Sequence, residues 1–205
     1  MATIVLAAGS AQASLDIPNG STIGVTSTIN VSGLSGPITS LSLNLNISGG
    51  NNGDLYAYLA YDGNVVTLLN RPGTSSNPLG FTDAGYNVLV EDGGVDGDLN
   101  AATGGSPVTG TYYADGDSTA FSTAFGSDPN DGNGTWTLFI ADLSGGGTGS
   151  DSQLNYWLLT INGATVPEPI TWSLIIFGGG LALLYMCNVW RTRETKIPKV
   201  ANKIF

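Results

Sequence analysis

The chain has 205 residues, room for one domain of ordinary size with appendages. Six Lys and Arg face sixteen Asp and Glu, and His is absent; this excess of acid argues against a nucleic-acid partner, and the missing imidazole removes the commonest general base and metal ligand. A hydrophobic content of 41% is enough for a core, and the single Cys, Cys187, excludes a disulfide framework within one chain.

The N-terminus, 1–13, is apolar and small and closes on Ala11-Gln12-Ala13. That pattern is expected of the end of an export leader cleaved before Ser14, although no basic residue precedes it; an ordinary N-terminal strand is the other reading.

From Ser14 to Thr165 the chain holds fourteen acids and one base, Arg71. Leu41, Leu43, Leu45 and Ile47 alternate with Ser42, Asn44, Asn46 and Ser48, the period of a half-buried strand. A Gly- and Asn-rich turn follows, then Leu55, Ala57 and Leu59 resume the alternation. Asp62-Gly63 is a hairpin signal before Val65–Leu69. Further strands are expected at Asn87–Val90, around Trp136, Leu138 and Ile140, and over Leu154–Ile161. No amphipathic helical window of useful length occurs. The expected fold of 14–165 is all-β, a jelly-roll-type sandwich.

Several blocks in this order resemble the P domain, or Homo B domain, of proprotein convertases and subtilisin-like proteases. They are Gly53-Asp54-Leu55, Gly110-Thr111-Tyr112, Gly134-Thr135-Trp136-Thr137-Leu138, Ala141-Asp142 and Trp157-Leu158-Leu159-Thr160-Ile161. The resemblance implies a galactose-binding-like jelly roll that packs on a protease and stabilises it without cutting. A serine-protease triad needs a His, and the sequence has none. The implied role is therefore a non-catalytic interaction or structural module; a stabilising subunit for a separate protease and a carbohydrate-binding module remain as alternatives.

The acids gather in turns. Asp92, Asp96 and Asp98 share one loop and are the favoured candidates for Ca²⁺, which takes six to eight oxygen ligands. They do not form an EF-hand, because Ala101 stands where that loop needs Gly and Pro107 where it needs Glu. Turn formation by Asp-Gly pairs is the plainer reading. Asp54 and Asp142 are isolated carboxylates for which strand-end roles outweigh a glycosidase pair. Tyr56 and Tyr58 fall on the face opposite Leu55, Ala57 and Leu59, a candidate binding surface for an envelope protein or a glycan.

The last forty residues change character. Val166-Pro167-Glu168-Pro169 is an extended, non-helical linker. Residues 170–190 carry no charge, with Trp172 at one end and Tyr185 and Trp190 at the other. At about 1.5 Å per residue such a helix spans a hydrocarbon layer of roughly 30 Å. Arg191 and Arg193 open a basic tail, 191–205, expected in the cytoplasm, with the acidic domain outside. The ordered set of Pro-Glu-Pro, apolar span and Arg cluster resembles the PEP-CTERM sorting signal of exported Gram-negative proteins. That resemblance implies an envelope location and an exosortase as processing partner.

Overall fold

The computed structural model describes residues 4–7, 14–34, 36–126, 132–145 and 151–163. The chain divides into two compact units, Met1–Thr165 and Val166–Phe205. All described residues lie in the first. The expected linker, membrane-spanning segment and tail lie outside them, and among the described residues no helix is long and apolar enough to cross a membrane.

Among the described residues, ten strands build two sheets: β1 Ile4–Ala7, β2 Leu15–Asp16, β3 Ser21–Val31, β4 Ile38–Ser48, β5 Leu55–Tyr61, β6 Asn64–Asn70, β7 Tyr86–Glu91, β8 Val108–Tyr112, β9 Gly134–Asp142 and β10 Gln153–Gly163. The larger sheet has the order β1-β10-β4-β7-β8, with β2 also paired to β10; the smaller is β3-β9-β5-β6. Every named ladder is antiparallel except β7 with β8. Ile4–Ala7, inside the segment read as an export leader, runs antiparallel along β10, from Ile4 opposite Gly163 to Ala7 opposite Thr160.

The alternation of apolar residues becomes the core. Leu41, Leu43, Leu45 and Ile47 of β4 are buried, as are Leu55, Ala57 and Leu59 of β5. Inward side chains of both sheets join in one cluster that contains Trp136, Leu138 and Ile140 of β9 and Leu154, Trp157, Leu159 and Ile161 of β10. This is a β-sandwich, as the sequence led us to expect. Asp62 and Gly63 both have positive φ, 46° and 79°, so the β5–β6 hairpin closes with the primed turn that Asp-Gly favours.

Several elements were not anticipated, among them the two-residue β2. β3 carries too many polar residues to read as a strand; only Ser27, Ile29 and Val31 of its eleven residues are buried. β8 is short and has Gly110 at its centre, so its register comes from β7. A six-residue helix, α1 (Ala120–Phe125), sends Phe121 and Phe125 into the core.

Both core indoles are fully enclosed and both N–H groups are paired. Trp136 Nε1 donates to the Gly132 carbonyl at 3.0 Å, and its ring stacks on Tyr61 with centroids 4.1 Å apart and meets the edge of Phe125 at 5.0 Å. Trp157, from the larger sheet, donates across the sandwich to Ser27 Oγ of β3 at 2.8 Å. Removing that acceptor leaves a buried N–H with no partner. Ser27→Ala should therefore lower stability by about 1–3 kcal/mol in urea unfolding followed by circular dichroism. In a Trp157→Phe background the same substitution should cost far less, because the donor is gone. An equal cost in both backgrounds would show that the bond does not couple the sheets.

Candidate functional site

The loop carboxylates are engaged by backbone amides. Asp92 accepts from Phe121 N at 2.9 Å and Ser122 N at 2.8 Å, the first-turn amides of α1. Asp96 accepts from Thr111 N at 2.7 Å, just before the end of β8. Asp98 accepts from Asn100 N at 2.8 Å and Gly116 N at 3.2 Å. The three side chains thus point to three different stretches of chain. Among the described residues no group of three His, Cys, Asp or Glu side chains is arranged to hold a metal ion.

Tyr56 and Tyr58 share the outer face of the smaller sheet, both half-buried. Their ring centroids are 6.2 Å apart, and Tyr58 stacks on Phe139 of β9 at 4.9 Å, with the rings 18° from parallel. Phe139 of β9 joins the two tyrosines on this face, a contribution that no spacing along the sequence indicates. Val166, Pro167, Glu168, Pro169, Arg191 and Arg193 lie outside the described residues.

Asp54 and Asp142 come together at the end of β5, where Leu55 pairs with Asp142 and Leu143 N donates to the Asp54 carbonyl at 2.8 Å. Both carboxylates are buried. Asp142 accepts from Ser144 N at 3.3 Å and from Ser152 Oγ at 3.2 Å. Burial pushes its carboxyl above the ordinary value of 3.8; the hydrogen bonds from Ser144, Ser152 and Gly20 oppose that rise, and repulsion from Asp54 adds to it. With little access to solvent, this pair is a strand-end fixture rather than a place for substrate.

A cleft that sequence reasoning missed lies beside β6. It encloses about 560 Å³ and is lined by Arg71, Ser76, Phe81, Asp98, Asn100 and Asp115, among others. Arg71 follows β6 at a φ of 53°, the left-handed region; its N–H donates to the Leu55 carbonyl at 2.9 Å, and its carbonyl accepts from Thr74 Oγ1 at 2.8 Å. Asn100 ties the walls together: its Oδ1 accepts from Asn70 N at 2.9 Å and its Nδ2 donates to Asp115 Oδ1. Beneath, Gly53 and Gly80 lie back to back; a Cβ on Gly53 would fall 2.6 Å from backbone atoms of Gly80 and Phe81, so side chains there would push the cleft apart. The only signal in the sequence was Arg71 itself, a lone base in an acidic stretch. Its partners in the cleft come from distant loops.

The Asp142 pair makes stability depend on pH with a definite sign. The native carboxyl holds its proton to a higher pH than the unfolded chain does. The native state therefore binds more protons just above pH 3.8, and this group's contribution falls as pH rises through that window. Asp142→Asn removes the titration. Its urea midpoint should move up relative to wild type between about pH 4 and about pH 7. A constant difference across that range would count against the burial argument.

No protein-family model and no curated protein matches the chain. Among solved structures it is similar to a chain in the crystal structure of the Aeromonas sobria serine protease and chaperone ORF2 complex, at 12% identity and a TM-score of 0.42, over 81% of this chain and 28% of that one. It is also similar to the serine protease of Aeromonas sobria, at 12% identity and a TM-score of 0.37, over 80% of this chain and 28% of that one. The chain thus spans 28% of the length of these structures, and likenesses of this size leave the function to be read from the chain itself.

Proposed function

We propose that this chain is a non-catalytic interaction module of the bacterial envelope, a P-domain-like β-sandwich exported and anchored by its C-terminal segment. The observation that carries this reading is where the resemblance blocks fall. Leu55, Trp136, Leu138, Trp157, Leu159 and Ile161 are all buried, so the blocks encode packing and not a reactive constellation. The sequence also lacks the His that a serine-protease triad requires. Tyr56, Tyr58 and Phe139 provide an outward aromatic strip on which a protein partner can rest, in keeping with a stabilising subunit of a separate protease.

Two measurements test the proposal. The purified full-length chain should release no peptides from casein; turnover abolished by a serine-protease inhibitor would overturn the non-catalytic reading. In a host that carries an exosortase, the mature protein should lack the segment after Pro169 by mass spectrometry. Replacing Pro167, Glu168 and Pro169 together by Ala should leave membrane insertion unchanged and preserve that segment. Recovery of intact 170–205 on all exported wild-type protein would reduce the segment to a plain anchor.

A further inference from the structure

The cleft beside β6 holds the one basic side chain of the sandwich, and among the described residues that side chain has no partner. The Arg71 guanidinium makes no hydrogen bond or ion pair among the described residues, although Asp98 and Asp115 line the same cleft. Its Nε is buried with no acceptor. An N–H that has lost water without gaining a bond is an unfavourable arrangement, and it marks a place where polar groups are held apart.

The walls indicate what fits between them. Besides Phe81, Ala101 and Gly73, the lining is hydroxyl, amide, carboxylate and guanidinium, including Thr74, Ser75 and Ser76. Donors and acceptors are thus mixed at short range, with one aromatic ring among them. An anion would meet the guanidinium but also two carboxylates and a chain of net charge −10. A cation would meet the guanidinium at close quarters. A peptide needs apolar pockets for its alternate side chains, and this lining has few apolar side chains. A neutral polyol satisfies both wall types at once: each hydroxyl accepts from Arg71 and donates to Asp115 or Asn100, while C–H groups of a sugar ring lie against Phe81.

We propose that the Arg71–Asn100–Asp115 cleft is a binding site for a neutral saccharide. Neither Tyr56 nor Tyr58 lines the cleft, although Tyr56 pairs across the ladder with Asn70, which does. The proposed site goes beyond the envelope-module reading and stands or falls without it, since neither protease partnership nor C-terminal processing enters its test.

The test is titration calorimetry on the full-length chain in a detergent with no sugar headgroup. The probes are neutral hexasaccharides of glucose, N-acetylglucosamine, mannose and galactose, an oligogalacturonate as anionic probe, and a Lys-Asp peptide. Arg71→Asn keeps the backbone, because Asn tolerates the left-handed region, and removes the guanidinium. Asp115→Asn keeps the oxygen that Asn100 Nδ2 reaches and removes the charge. At least one neutral hexasaccharide should bind. Each substitution should weaken that binding by about tenfold or more, the loss expected when a charged hydrogen-bonding group is removed. Tyr58→Ala, whose ladder partner Thr67 does not line the cleft, should leave it within about twofold, and unchanged circular dichroism of both cleft variants should show that the fold is intact. Three results would overturn the proposal: no neutral sugar bound at about 10 mM, binding that survives both cleft substitutions, or binding only of the anionic or peptide probe.

Discussion

The sandwich depends on two buried indoles finding hydrogen-bond partners in a core that is mostly apolar. A Trp N–H shut away from water without an acceptor is costly, so each ring can sit only where an oxygen is in reach. Trp157 meets this requirement across the gap between the sheets, at Ser27 of β3, and so ties the position of one sheet to the other. Trp136 meets it within its own neighbourhood, at Gly132, and then stacks on Tyr61 and meets Phe125 edge-on, which brings α1 against the smaller sheet. Hydrophobic burial drives the sheets together, but it is non-directional; these two bonds and the aromatic stack select one arrangement.

The acidity of the domain has a structural use apart from its effect on partners. Asp92, Asp96 and Asp98 take backbone amides that would otherwise be left open at a helix start, beside β8 and at a short turn. Asp83 does the same for Gly104 and Gly105. Carboxylates so engaged hold long loops on the sandwich, and the cleft beside β6 is built from such loops. Its rigidity comes from Asn100, which holds the Asn70 amide on one side and Asp115 on the other.

Function then follows from which polar groups are left over. Most carboxylates of the loops have amide partners, and the Asp54–Asp142 pair is buried at the end of a strand. The guanidinium of Arg71 is in neither position. Hydroxyls and amides surround it, and its charge is set among carboxylates it does not touch. Groups held apart in this way are suited to binding a ligand between them.

The sequence by itself determined the class of the fold. The period-two runs at Leu41–Ile47 and Leu55–Leu59, the Asp62-Gly63 turn and the apolar alternation around Trp136 and Trp157 are local signals, because strand faces and tight turns are set by neighbouring residues. They placed six strands and predicted the aromatic face of Tyr56 and Tyr58. Only the tertiary structure decided the rest. The polar strand β3 is a strand because β9 pairs with it, and the Gly-centred β8 because β7 does. The single loop Asp92–Asp98 read as one cluster, yet its carboxylates separate, since each hydrogen-bonds to amides from a different part of the chain. The cleft was illegible for the same reason: Arg71, Asn100 and Asp115 meet only after three loops have packed on one edge of the sandwich, and no spacing along the chain records that meeting.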